Sequence, residues 1–303
     1  MKKLVLFICT ISVSIFIFSM PVHATDKEVY FVNMNGVELT KEQYDNLLKG
    51  FSYDTINTMS AEMIDMLKND SDIHTTKKEM YVKSEVECQD NEVVDSKQTV
   101  VSKEEYENSP DSEPIITRNT KSLAPVATDY HETAYKKISF QITYGASVAS
   151  KFVTLTNVWK QIPKTKSFDV LAIAPDAFSL SFNTDDYRSG YQKWDGNTIN
   201  YSASSKNWKL VNGFGILKKG LGLSQNIVDD TKRSLSNSIT VIFICSAASF
   251  RALGSYQHAD YPVTLKESQD YDISANGMGG LIDFSSSVWK KYDTTGGVDA
   301  TLY

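Results

Sequence analysis

Apolar and polar positions alternate through much of the second half of the chain. Ile138, Phe140, Ile142 and Tyr144 are interleaved with polar residues, and Phe178, Leu180 and Phe182 repeat the pattern. A period of two puts one set of side chains on a buried face and the other in water, so each run predicts a half-buried strand. β-prone runs recur at 136–144, 150–159, 167–174, 177–183, 197–202, 207–211, 221–228, 239–248, 253–258, 262–265 and 270–275. Turn-forming pairs separate them, among them Pro175-Asp176, Asp195-Gly196, Asn212-Gly213 and Asn276-Gly277. Many short strands without a long helical pattern predict a mainly β fold. The expected form is an antiparallel β-sandwich, jelly-roll-like, over residues 135–303.

The first half reads differently. Val29–Val32 is a short β-like run, and Asn35-Gly36 is a tight-turn pair. Thr40, with Gln43 three residues later, forms a capping box that opens a helix with Tyr44, Leu47 and Leu48 on one face. A second helix is expected near Ser60. Residues 25–69 therefore read as a small strand–helix–helix α/β module, too small to bury much by itself. Residues 70–134 are polar and acidic. Met80, Val82, Ser84, Val86 and Cys88 alternate before a turn-like Gln89-Asp90-Asn91, which predicts one hairpin. The remainder, punctuated by Pro110, Pro114 and Pro125, reads as a partly disordered linker.

Residues 1–24 have the layout of a secretory signal peptide. Lys2 and Lys3 precede an uncharged apolar stretch from Leu4 to Met20, and Val22 and Ala24 occupy the −3 and −1 positions of a cleavage site. No later apolar run approaches the ~20 residues that a spanning helix needs. The expected mature protein is secreted, without an integral membrane segment, and either free or loosely held at the cell surface.

Charge is unevenly distributed. Residues 25–134 hold 23 Asp and Glu against 11 Lys and Arg, a net −12, whereas residues 135–303 hold 14 against 18, a net +4. A weakly basic β domain suits an anionic cell-wall polymer, a glycan or a protein ligand. It lacks the dense basic stripe that nucleic acid requires. Of three cysteines, Cys9 leaves with the leader, and Cys88 and Cys245 are too few for a disulfide framework.

Candidate chemistry is sparse. Beyond the leader the histidines are His74, His131 and His258, and no G-x-S-x-G elbow accompanies them. Asp185-Asp186 and Asp229-Asp230 are too short of ligands for a Ca²⁺ loop, so no metal or cofactor is expected. The Gly213–Leu223 stretch is rich in glycine but lacks a phosphate-loop pattern. The most suggestive group is Tyr187, Arg188, Tyr191 and Trp194, in a polar segment that reads as a loop. Aromatic faces beside polar groups are suited to sugars or peptides.

Several stretches resemble an uncharacterised exported family of Bacillota, the Gram-positive bacteria. They are Phe31–Tyr44, Asn212–Gly215, Gly254–Ala259, Tyr292-Asp293 and Gly296–Val298. The resemblance implies export and a β-rich domain, and it brings no catalytic residues. The leading expectation is a non-enzymatic secreted protein that binds at the bacterial cell surface or to extracellular ligands. The alternatives are a secreted hydrolase with a dispersed Ser/His or carboxylate site, and a membrane-active toxin. N-terminal sequencing of the exported chain is expected to begin at Thr25; a mature protein that keeps Lys2 and Lys3 would contradict cleavage.

Overall fold

The computed structural model describes residues 28–89, 92–111, 115–118, 130–145, 149–175, 187–212, 218–229, 231, 233–245, 249–273, 281–293 and 295–302. The leader, the expected strand 177–183, Asp185-Asp186 and residues 213–217 lie outside them.

The N-terminal module forms as its capping signals require. β1 (Phe31–Val32) and β2 (Glu38–Leu39) pair around Asn35-Gly36, where Gly36 takes a φ of +76° that other residues rarely adopt. The Asn33 side chain holds this turn. Its Oδ1 accepts from Asn35 N and Val37 N, and its Nδ2 donates to Ile56 O and Met59 O. Helix α1 (Lys41–Leu48) starts at the Thr40–Gln43 capping box. Ser52 and Ser60 cap α2 (Tyr53–Thr58) and α3 (Ala61–Asp65). Leu39, Leu47, Ile56, Met59, Met63 and Ile64 form one cluster with Phe152 and Ile242, which belong to the sheet beneath. The module thus completes its core on the sheet.

The following strands, in chain order, are β3 (Ile73–Gln89), β4 (Glu92–Val101), then after helix α4 (Lys103–Asn108) β5 (Ile115–Arg118), β6 (Tyr130–Gly145), β7 (Ser150–Trp159), β8 (Phe168–Pro175), β9 (Arg188–Trp194), β10 (Asn197–Tyr201), β11 (Trp208–Asn212), β12 (Lys218–Asn226), β13 (Leu235–Ile244) and β14 (Phe250–Gln257). Helix α5 (Leu265–Ser268), β15 (Tyr271–Ile273), β16 (Ile282–Phe284) and β17 (Val298–Leu302) complete the chain. Among the described residues, two antiparallel sheets make the expected sandwich. One has eight strands in the order β10-β9-β13-β7-β6-β3-β4, with β5 also paired to β6; the other has five, in the order β11-β12-β8-β14-β17. Phe140, Ile142, Leu155, Leu171, Ile173, Leu223 and Ile239 fill the space between them.

Within residues 70–134 the described strands depart from the expected linker, whereas 112–114 and 119–129, with Pro114 and Pro125, lie outside the described residues. The hairpin is present, and it is part of the main sheet: β3 pairs with β6 from Ile73 opposite Gly145 to Cys88 opposite Tyr130. Its polar composition hid this role, because only one face is buried. Val82, Ser84, Val86 and Cys88 point inward, while Lys83 and Glu85 pair across the outer face at 2.7 Å. Cys88 packs with Val86 and Val93, and Cys245 lies in the central core, so no disulfide joins them.

Two further expectations are corrected. Residues 188–194 form a strand, β9, between β13 and β10, closed by a turn at Asp195 (φ 45°) and Gly196 (φ 88°). Polar residues masked it, because several of them are buried. Residues 262–265 are not a strand: Thr264 caps α5 through a capping box with Glu267. The C-terminal segment lies over the outer face of the second sheet, where Tyr271, Ile273, Leu281, Val288 and Tyr292 cover Val170, Ala172 and Ala174. Gly222 permits this cover, since a Cβ there would meet Tyr271 Oη at 2.3 Å.

Phe152 contacts Phe51 edge-on with ring centroids 5.5 Å apart, and it is completely buried. Phe152→Ala is expected to cost about 3–5 kcal/mol in urea unfolding and to open residues 28–69 to protease. An unchanged midpoint would show that the module does not depend on this contact.

Candidate functional site

The outward positions of the main sheet change character along the strands. Near one end they are apolar and lie under the module, as Phe152 and Ile242 do. Beyond, the same face carries Thr154, Thr156 and Val158 on β7, Ser236 on β13, and Lys137, Ser139 and Gln141 on β6. With Lys77, Tyr191 and the module's Ser52, Asp54 and Thr55, they line a groove of about 260 Å³. Cross-strand hydroxyl pairs fix its floor: Thr156 Oγ1 to Ser238 Oγ at 2.8 Å, and Thr154 Oγ1 to Thr240 Oγ1 at 3.0 Å.

The module wall is held in place at two points. Gln141 Nε2 donates to Gly50 O, and Thr143 Oγ1 donates to the same carbonyl at 3.1 Å. A Cβ on Gly50 would meet Thr143 Cγ2 at 2.5 Å, so this approach requires glycine. Lys193 Nζ meets Asp54 Oδ1 at 2.7 Å and ties α2 to β9. Lys77 lies 2.7 Å and Lys137 3.8 Å from the same Glu79 oxygen. Hydrogen bonds from Lys77 and Tyr81 hold Glu79 down to about 2, so it is ionised, and the Glu79 bond pushes the Tyr81 phenol up to about 12. Three lysines face two carboxylates here, a surplus of positive charge.

β9 separates the four expected binding residues onto two faces. Tyr187 is half-buried against the module's apolar cluster. Tyr191 faces the groove; burial pushes its phenol up to about 12, with Ser238, Ser52 and Thr55 as hydrogen-bonding neighbours. Arg188 points inward, where Nε donates to Ala203 O at 3.1 Å and the guanidinium lies 5.6 Å from the Trp208 ring centroid. Trp194 packs against the central core. Only Tyr191 lines the groove. The groove's hydroxyl floor was missed, and its signal was small hydroxyl residues in phase opposite to the core positions of β7 and β13.

His258 is buried. Its Nδ1 lies 2.8 Å from Asp169 Oδ1, and its ring sits edge-on to Trp159 at 5.1 Å. Asp169 also accepts from Ala259 N at 3.1 Å and from Tyr256 Oη. Among the described residues, no serine hydroxyl is hydrogen-bonded to the imidazole, and the adjoining cavity of about 10 Å³ has room for roughly one water. Two more buried acids border it: Glu132 accepts from Lys164 N at 2.6 Å, and Asp260 from Ser96 Oγ at 2.5 Å. Among the described residues, no three His, Cys, Asp or Glu side chains are placed to hold a metal ion, and no helix is long and apolar enough to cross a membrane.

No protein-family model matches the chain, and no curated protein matches its sequence. Among solved structures, it is similar to ACE19, the collagen-binding subdomain of the Enterococcus faecalis surface protein ACE, at 9% identity and a TM-score of 0.27, over 52% of this chain and 88% of that one. It is also similar to the collagen-binding domain of the Erysipelothrix rhusiopathiae surface protein RspB, at 7% identity and a TM-score of 0.25, over 64% and 77% of the two chains. At these scores no residue or ligand carries over.

The buried acids and His258 set a pH dependence. Burial pushes Glu132 up to about 7 and Asp260 up to about 6. Burial opposes protonation of His258, but neighbouring carboxylates, Asp169 foremost and then Asp260, outweigh it and raise the imidazole to about 9. All three bind protons more tightly folded than at their ordinary values of 4.5, 3.8 and 6.5. Their stabilisation is complete below those values and is lost as pH rises through about 6, 7 and 9. The thermal midpoint is therefore expected to fall from about pH 5 to about pH 9. Glu132→Gln, which keeps an acceptor for Lys164 N, is expected to flatten the part of the decline below about pH 7. A midpoint that rises across this range would contradict the assignment.

Proposed function

We propose that this is a secreted, non-enzymatic binding protein that holds an anionic, hydroxyl-rich polymer of the bacterial cell wall in the groove between the module and the main sheet. The observation that carries this reading is the groove itself. Its floor is a row of hydroxyl and amide side chains, its rim has surplus lysines, and its volume of about 260 Å³ suits a short stretch of a polymer. Tyr191 adds an aromatic edge beside the hydroxyls. Each polar group on a rigid sheet is already oriented, so little ordering entropy opposes binding. The net +4 of residues 135–303 favours an anionic partner over a cationic one.

Retention of the purified protein on Gram-positive cell walls, with and without their anionic polymers, tests the proposal. Retention is expected on intact walls and is expected to weaken as salt shortens the reach of the lysines. Lys137→Gln and Thr156→Val are each expected to weaken retention several-fold with little change in the thermal midpoint. Collagen, named for both structural neighbours, serves as a comparison ligand. Equal retention on stripped walls, or none on intact walls, would overturn the proposal.

A further inference from the structure

The inward row of β6 runs Ala134, Lys136, Ile138, Phe140, Ile142, so one position in an apolar series is a lysine. Lys136 stands opposite Trp159 in the β6–β7 register and is completely buried. Its ammonium lies 5.1 Å from the ring centroids of both Trp159 and Tyr256. Its Nζ meets Asp293 Oδ2, and both side chains have 0% exposure. Asp293 is fixed from both sides. Its Oδ1 accepts from His258 N at 3.0 Å, and its own N donates to His258 O at 2.8 Å.

A buried ion pair is an expensive use of a core position, because desolvation offsets most of the attraction between the charges. Proton transfer within the pair gives a neutral amine in contact with a neutral acid. A desolvated lysine amine is a competent nucleophile. Holding it against one carboxyl carbon is equivalent to an effective concentration on the order of 10⁵–10⁸ M. The aromatic walls exclude bulk water, which would otherwise favour hydrolysis. Asp260 is buried nearby, and its Oδ1 has no hydrogen-bond partner among the described residues. It supplies a carboxyl that can relay a proton.

We propose that Lys136 and Asp293 are joined in the folded protein by an isopeptide bond that forms without any other factor. The ammonium first gives one proton to the Asp293 carboxylate. The amine nitrogen then attacks Cγ, and a C–N bond forms. The C–OH bond breaks, and the hydroxyl leaves as water with a second nitrogen proton. The nitrogen keeps one hydrogen as the amide N–H. One lysine ammonium and one carboxylate become one neutral amide and one water, with no oxidant or reductant. The bond links β6 of the main sheet to the segment leading into β17 of the second, positions 157 residues apart. A cross-link closing so long a loop restricts the unfolded chain strongly.

Intact mass spectrometry of the denatured mature protein tests this directly. The expected mass is lower than that of the sequence by one water, and a digest is expected to contain a branched peptide joining Lys136 to Asp293. Lys136→Arg and Asp293→Ala are each expected to restore the full mass. The wild-type measurement decides by itself if either variant fails to fold. A wild-type chain at full mass would overturn the proposal. So would a deficit that maps to a succinimide at Asp195-Gly196 with no branched peptide.

Discussion

The main sheet is apolar on its inner face and, at one end, on its outer face as well, and the rest of the structure follows from the need to cover both. Phe140, Leu155 and Ile239 face the second sheet. Phe152 and Ile242 face the other way and would be exposed without the module, whose Leu47, Ile56 and Met63 bury them. Fully burying side chains of this size is worth about 1.5–3 kcal/mol each. The second sheet repeats the solution, with Tyr271, Leu281 and Tyr292 laid over Val170 and Ala172. Four layers result, and both outer layers complete their cores on the sheets beneath them.

The groove is a consequence of where that cover ends. Along β7 the outward residues run Phe152, Thr154, Thr156; along β13 they run Ile242, Thr240, Ser238, Ser236. The module docks on the apolar part and stops where hydroxyls begin. The edge of docking is therefore also the border of the groove, at which Lys193–Asp54 and the bonds to Gly50 O hold the wall.

Much of the sandwich was legible because alternation survives on half-buried strands such as β6, and the capping box at Thr40 and Gln43 located α1. The exceptions are strands whose outer faces are not plain solvent. The alternation from Met80 to Cys88 predicted a hairpin in β3 but not its place in the main sheet, since Glu85 and Lys83 satisfy each other on its outer face. β9 looked like a loop because Arg188, Ser189 and Gln192 are polar and nonetheless buried. Tyr187, Arg188, Tyr191 and Trp194 are neighbours in sequence, yet strand alternation separates them, which spacing within a presumed loop does not reveal. Lys136 was visible in principle, since it sits in phase with Ile138, Phe140 and Ile142. Its partner could not be read, because Asp293 is brought to it by the return of a distant segment.

Native-state hydrogen exchange is the direct test of the four-layer arrangement. If the module depends on the sheet, buried amides in α1 and α2 exchange only through the same global opening as those of β7 and β13, with similar protection free energies. Exchange of the module through a separate, low-energy opening while β7 and β13 stay protected would contradict it.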